Sequence, residues 1–297
     1  MNMYYNISAP AKLNLNLYVK NKIFKGLHFI KSDMCFLELT DKLYFKFNDK
    51  DVFFQNNDKS FLINTKDNLI LNAIEKFREL TNWNKKFKIY LDKRIPIGAG
   101  LGGGSADAAA TLILLRYLYN KEKNYNKVPF SSILEIGNDL GSDLPSCLLS
   151  KDLRLNGYGR EIKRKKIPSS YYFFIINPNK VLSTRAVFKN YSKFPDLIHE
   201  SKNLFFENIT IYNSLLSSAV RLAPQISSIL NNLKEIPNIV AYGMTGSGST
   251  CFGIFKNLDD ISSLSKVFNK RYFIWYGKKC NYRINRVRYS KMLEIKF

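Results

Sequence analysis

Negative charge is in short supply. Only 24 Asp and Glu stand against 46 Lys and Arg, a formal net charge of +22 over 297 residues. Such a balance attracts polyanions: nucleic acid, an anionic membrane or phosphorylated small molecules. Asn, Ile, Lys and Tyr are abundant together, the mixture an AT-rich genome yields without selection for a basic surface, so the charge points only weakly to a partner. Cysteine is scarce too. Cys35, Cys147, Cys251 and Cys280 lie far apart in no CxxC or Cys/His cluster, which argues against a disulfide scaffold or a zinc site and for a reducing cytoplasm. No apolar run approaches the ~20 residues that span a bilayer, and residues 1–8 lack the apolar core of a signal peptide. A soluble cytoplasmic protein is expected. Fixed-period repeats and low-complexity stretches are missing as well. Hydrophobic residues at 45% and charged residues at 24% exclude wholesale disorder, and the length fits one large domain or two ordinary ones.

Strands and helices mix in both halves without regular βαβ alternation, which predicts an α+β fold. Leu13, Leu15, Leu17 and Val19 alternate with Lys12, Asn14, Asn16 and Tyr18, the period-2 pattern of a strand with one apolar and one polar face. Extended chain is expected over 34–47 and 87–91. Helices are expected over 69–80, capped by Asp67, over 105–119 directly after glycines, and from a capping box at Ser132-Ile133-Leu134-Glu135. Past the turn-rich Asn156-Gly157-Tyr158-Gly159 and the basic run 163–166, the pattern predicts strands at 171–176, 239–242, 251–255 and 272–276. Helices are predicted near 211–221, 224–233 and 259–268.

The most informative segment is Pro96-Ile97-Gly98-Ala99-Gly100-Leu101-Gly102-Gly103-Gly104-Ser105-Ala106. Five glycines in seven positions leave the backbone free to approach a ligand. The helix behind them presents unpaired N–H groups and its positive dipole end, a site for a phosphate chain. A Walker A loop is excluded, because no lysine precedes Ser105. A GxGxxG match exists at Gly98, Gly100 and Gly103. However, Pro96 interrupts the strand a dinucleotide fold requires, and residues 121–127 are too polar to be its second strand.

The arrangement Pro-x-x-x-Gly-Leu-Gly-Gly-Gly-Ser-Ala resembles the phosphate loop of the GHMP kinase superfamily. Two further landmarks stand in the expected order: Ser8-Ala9-Pro10-Ala11-Lys12-Leu13-Asn14-Leu15 and Met244-Thr245-Gly246-Ser247-Gly248-Ser249-Thr250-Cys251. Gly26-Leu27-His28, Asp67-Asn68-Leu69-Ile70, Lys93-Arg94-Ile95-Pro96 and Gly141-Ser142-Asp143-Leu144-Pro145 are similar to the branch acting on 4-diphosphocytidyl-2-C-methyl-D-erythritol, in the non-mevalonate route to isopentenyl diphosphate. The resemblance implies a two-domain α+β fold. Residues 1–164 would form the nucleotide-binding domain and residues 165–297 a smaller ferredoxin-like domain, with the ligands in the cleft between. It implies ATP and Mg²⁺ as cofactors and transfer of the γ-phosphoryl group to the tertiary 2-hydroxyl. The partners would be small molecules, without nucleic acid or membrane, and the chain a monomer or weak homodimer.

By the same resemblance, Asp143 is the base that orients and deprotonates the hydroxyl, and Lys12 the cation beside it. From pattern alone, Asp143 also suits a helix cap and Lys12 a solvated strand face. Residues 96–106 bind ATP together with Lys93, and Ser105 at the helix start touches phosphate. Asn14, His28, Thr184 and Phe188 face the substrate, His28 toward the cytosine. Leu27 stands where the family commonly has Tyr and Met34 where some members have a second aromatic, which leaves Phe188 to supply a ring. The loop Gly246-Ser247-Gly248-Ser249-Thr250 is expected to pack against the cleft without doing chemistry. Two other readings are a different kinase of the superfamily, of homoserine or mevalonate type, and a basic nucleic-acid-binding protein. The scattered cations and the glycine loop speak against the latter.

Overall fold

One long strand serves as the spine of the first sheet, because its neighbours along its length all pair with it. The computed structural model describes residues 3–24, 27–56, 68–123, 126–158, 161–193, 204–262, 264, 267–268, 270–280 and 287–291. In chain order these form β1 (Met3–Asn14), β2 (Asn16–Phe24), the spine β3 (Leu27–Asn48), β4 (Val52–Gln55), α1 (Leu69–Thr81) and β5 (Lys86–Asp92). Next come α2 (Gly103–Glu122), α3 (Phe130–Leu140), α4 (Leu144–Leu149), β6 (Leu153–Gly157), β7 (Glu161–Arg164), β8 (Tyr172–Asn177) and α5 (Thr184–Lys193). The remainder is β9 (Leu204–Phe206), β10 (Ile209–Asn213), α6 (Leu216–Leu222), α7 (Gln225–Lys234), β11 (Ala241–Met244), β12 (Cys251–Phe255), α8 (Asp259–Ser262), β13 (Phe273–Lys278) and β14 (Arg288–Lys291).

The first sheet has ten strands, with a path β14-β1-β3-β2-β10-β9 and with β5 and β6 also paired to β3. The second is antiparallel, in the order β11-β12-β8-β13. Its β8-helices-β11-β12-α8-β13 course is the ferredoxin-like arrangement. Helices α1–α4 cover one face of the first sheet over a core that includes Phe36, Phe45, Phe77 and Leu112. Helices α5–α8 cover the second sheet around Phe174, Ile176 and Leu233. The two sheets meet through a third apolar cluster, with Leu13, Leu15 and Leu37 against Phe173, Ile175 and Phe252. The fold is thus the expected α+β architecture, built on two sheets.

Local chemistry explains most element ends, and several depart from expectation. Asp67 lies outside the described residues. Helix α1 is capped instead by Asn68, whose side chain accepts from the amides of Ile70 and Leu71. Asn68→Ala is expected to lower stability by about 1 kcal/mol in a denaturant melt, the usual worth of such a cap. The box at Ser132 does not open a helix: α3 starts earlier, at Phe130, with Pro129 before it and no side-chain cap bond. Helix α2 begins at Gly103, so two of the glycines lie in its first turn. Residues 209–213 form strand β10, not the start of a helix, since Ile209, Ile211 and Asn213 alternate toward the interior. Of the helix near 259–268, only Asp259–Ser262 is helical among the described residues, and Gly159 lies outside them. No helix among the described residues is long and apolar enough to cross a membrane.

Candidate active site

The polar side of the first strand does not face solvent. Lys12, Asn14 and Asn16 are all buried, and a bulge explains their direction. The β1–β3 register shifts between Pro10 and Lys12. Ile7 and Ala9 before it pack under the helices, whereas Ala11 and Leu13 after it pack toward the second sheet. Across this irregularity two positions of β1 pass four of β3, both strands exchange the faces they present to the two apolar clusters, and Lys12 and Asn14 come to face the helices. The Lys12 amide donates to Leu101 O at 2.8 Å, and its stem passes over Gly102. The strand and the glycine loop are thus stitched together.

Both line a cavity of about 650 Å³. Its walls come from the first sheet, from the starts of α1 and α2, from the loop after β5 and from Thr184, Phe188, Gly246 and Ser247 of the second half. Gly102 caps α2 in the left-handed region at φ 66°, offers no side chain, and is followed by a first turn without acidic residues. The N-terminal amides of this 20-residue helix therefore remain open to a ligand at the positive dipole end. Pro96, Ile97, Gly98, Ala99, Gly100, Gly103, Gly104 and Ser105 all reach the cavity. Leu101 and Ala106 do not. Their side chains are buried in the apolar clusters and anchor the loop from below, so any contact they make with a ligand is through the backbone.

Asp143 stands at the start of α4 but makes no cap bond. Instead its Oδ2 accepts from Lys12 Nζ at 2.9 Å. The Lys12 side chain is 5% exposed and that of Asp143 37%, so the carboxylate opens onto the cavity while the ammonium is held behind it. The capping and solvated-face alternatives for these two residues are excluded by this geometry.

Lys93 belongs to a second charged cluster that sequence reasoning missed. Its Nζ donates at 2.6 Å to both Asp41 Oδ2 on β3 and Asp107 Oδ2 on α2. Asp41 Oδ1 also accepts from the amides of Arg94 and Ile95. Burial pulls the Lys93 ammonium downward, but Asp107 and Asp41 outweigh it and leave its pKa raised. Burial pushes the Asp107 carboxyl up to about 8, against the pull of Lys93 and with the help of Asp41. The only local sign was an aspartate within the alanine-rich start of α2.

On the substrate side, Asn14 lines the cavity, its amide nitrogen donating to Ser32 Oγ at 2.7 Å. The Asn14 Oδ1 is buried without a donor. Thr184 Oγ1 lies 3.0 Å from Ser247 Oγ. Phe188 forms part of the wall, and His28 stacks on it with ring centroids 4.9 Å apart. His28 is not itself on the wall. Burial lowers its pKa, and Nδ1 lacks a partner. Met34 is fully buried under the helices, away from the cavity. The second glycine loop backs the first: Thr250 N donates to Ala99 O, and Gly100 abuts the backbone oxygens of Thr245 and Gly248.

No group of three His, Cys, Asp or Glu among the described residues is placed to hold a metal ion. The protein supplies no cage of its own there. A Mg²⁺ ion would be carried chiefly on phosphate oxygens and water, as is usual for this hard cation.

An uncapped helix start under a glycine loop, next to a lysine–aspartate pair in an inter-sheet cavity, is the outline of a small-molecule kinase. The model of the GHMP kinases N terminal domain matches residues 68–151, and that of GHMP kinases C terminal matches residues 193–273. The chain is 32% identical to the 4-diphosphocytidyl-2-C-methyl-D-erythritol kinase of Prochlorococcus marinus (strain MIT 9301), over 91% of this chain and 93% of that one. A crystal structure of 4-(cytidine 5'-diphospho)-2C-methyl-D-erythritol kinase superimposes with a TM-score of 0.74 at 25% identity, covering 92% of this chain and 98% of that one. The mevalonate kinase of Methanococcus jannaschii shares the fold, with a TM-score of 0.65 at 17% identity over 93% and 98% of the two chains. The chain belongs to the 4-diphosphocytidyl-2-C-methyl-D-erythritol kinase family of the GHMP kinases, and is an enzyme of the kinase class.

Proposed function

We propose that the enzyme transfers the γ-phosphoryl group of ATP to the tertiary 2-hydroxyl of 4-diphosphocytidyl-2-C-methyl-D-erythritol. The observation that carries this reading is the Lys12–Asp143 pair, 2.9 Å apart, on the wall of the same cavity as the open start of α2. Phosphoryl transfer asks a protein mainly for positioning and charge stabilisation. The amides of Gly103, Gly104 and Ser105 hold the phosphate chain, and Asp143 accepts the hydroxyl proton as the oxygen attacks. Lys12 lies beside the developing charge and offsets it. Mg²⁺, arriving with the nucleotide, supplies further neutralisation of the phosphates. In this reading residues 1–164 carry the nucleotide and the reacting groups, residues 165–297 close the cleft, and the enzyme works in the cytoplasm as a monomer or weak homodimer.

The cytidine end is held against Phe188 on the cavity wall, with His28 stacked behind that ring as the second residue of the cytosine site. Burial lowers the His28 pKa, so the imidazole that backs Phe188 is neutral near pH 7. With Leu27 where relatives commonly carry Tyr, Phe188 is the main ring left. The test is a coupled assay with ATP, Mg²⁺ and a panel of alcohols: methylerythritol with and without the cytidine diphosphate handle, homoserine and mevalonate. Turnover is expected only with the cytidine-bearing alcohol, and turnover of homoserine or mevalonate alone would move the enzyme to another branch. Phe188→Ala should raise KM for the cytidine-bearing alcohol roughly five- to hundredfold, the 1–3 kcal/mol of a lost base–aromatic stack, with kcat little changed. An unaltered KM would remove Phe188 from the site.

A further inference from the structure

Two aspartates and one lysine meet behind the phosphate loop, and their charges do not balance. Asp41 is satisfied: Lys93 Nζ and the amides of Arg94 and Ile95 all donate to it. Asp107, with a side chain 3% exposed, is not. Its Oδ2 accepts from Lys93, but Oδ1 is buried without a donor, and the Asp41 carboxyl group is brought beside it on the same Lys93 Nζ, 2.6 Å from each. Two carboxylates facing each other make no bond unless one carries a proton. Since three donors already converge on Asp41, the proton belongs on Asp107. The cluster also sits under the ligand: a Cβ on Gly103, at the start of α2, would lie 2.9 Å from Lys93 Nζ, and both Lys93 and Asp107 border the cavity.

We propose that Asp107 is a nucleotide-positioning residue that works as a neutral carboxylic acid, its proton closing a bond to Asp41 so that Lys93 supports the phosphate loop without net negative charge behind it. With the proton, the three groups sum to zero. Without it, a buried net charge of −1 stands beneath the triphosphate, where screening is weak. Other charged groups near Asp107 do not supply the missing cation. Cys147 on α4 is held as a neutral thiol by burial and by Asp143, and Lys12 is engaged by Asp143.

This inference rests on the reading of residues 96–106 as the phosphate site. The probe is ADP with Mg²⁺, titrated calorimetrically into the wild-type enzyme between pH 7 and 9, in two buffers of different ionisation enthalpy at each pH. If only the protonated form binds, Kd rises about tenfold across that range, with uptake of roughly half a proton per ADP near pH 8. Asp107→Asn, neutral at every pH, should lose both the slope and the proton uptake. A wild-type Kd flat with pH, or an Asn variant that keeps the slope, overturns the role of Asp107 while leaving the phosphate site intact. No ADP binding at any pH overturns both. Folding supplies a second measurement independent of ligand. The Asp107 carboxyl, pushed up to about 8 by burial, lies above the ordinary carboxyl value of 3.8, so the native state binds more protons in between. Its contribution to stability should therefore fall as pH rises from about 4 to 8 and then level off. A merely structural aspartate pairing with Lys93 as a carboxylate would leave stability flat between about pH 4 and 8, its contribution being lost only as pH falls below about 4.

Discussion

Asp143→Asn is expected to cut kcat by about 10²–10⁴-fold, the span over which a positioned proton acceptor acts, and to leave the fold standing. Asp143 makes no cap bond to α4, its side chain is more than a third exposed, and Asn keeps an oxygen that can accept from the buried Lys12 ammonium, so the lost counter-charge should cost some stability without unfolding the chain. Lys12→Met keeps the stem that lies against Gly102 and removes only the ammonium. It should lower kcat over a similar range with a smaller change in KM for ATP, because the cation is needed most as charge develops on the alcohol oxygen. The double variant should be little worse than the worse single one if, as proposed, the two groups work on one proton and one oxygen. Steady-state kinetics beside a thermal melt decides the matter. Either single variant turning over at the wild-type rate while folded would remove that residue from the chemistry.

The second large effect concerns the contact between the two glycine loops. At Gly100, φ is 77°, and an added Cβ would lie 2.6 Å from Thr245 O and 2.8 Å from Gly248 O. Both are backbone atoms that cannot swing away. The converse contact is equally tight, since a Cβ on Gly246 would lie 2.7 Å from Gly100 O. Gly100→Ala should therefore cost about 3 kcal/mol or more, combining left-handed strain with a backbone clash. That loss corresponds to a Tm lower by roughly 6–12 °C, together with a raised KM for ATP. Gly141 is the control. Its backbone is extended at φ 167° and an added Cβ meets nothing within 4 Å, so Gly141→Ala should leave Tm nearly unchanged. A Gly100→Ala enzyme as stable as this control would show that the loops are not pressed together in solution.

What could be read from the chain in advance follows from how far each signal reaches. The glycine loop, the helix behind it, and Lys12 and Asp143 all sit in short motifs whose composition is itself unusual, and the structure gathers them at one cavity. The alternating face of β1 was visible too, but its direction was not. Whether Lys12 points to water or into a cleft depends on the irregular pairing with β3 between Pro10 and Lys12, and only Pro10, a residue that sheets confine to edges and bulges, hinted at it. The Asp41–Lys93–Asp107 cluster had no local trace. Its members are 52 and 14 residues apart, and an aspartate within an alanine-rich helix reads as surface until the helix is packed. Leu101 and Ala106 show the opposite limit: a contiguous motif suggests that every side chain faces the ligand, although a loop pressed between sheets must bury some of them. Strand β10 was taken for helix because its period-2 alternation spans only five residues.

The path of β10 has a mechanical consequence. It leaves the second half of the chain, pairs in parallel with β2 through Tyr212 and Asn213, and receives β9 on its other edge. The two sheets are joined besides by a shared apolar layer. Swinging the halves apart about a hinge would have to shear that ladder and wet that layer at once. The frame is accordingly stiff: the spacing between the reacting groups is set when the chain folds, and little of a ligand's binding energy need go into shaping the site.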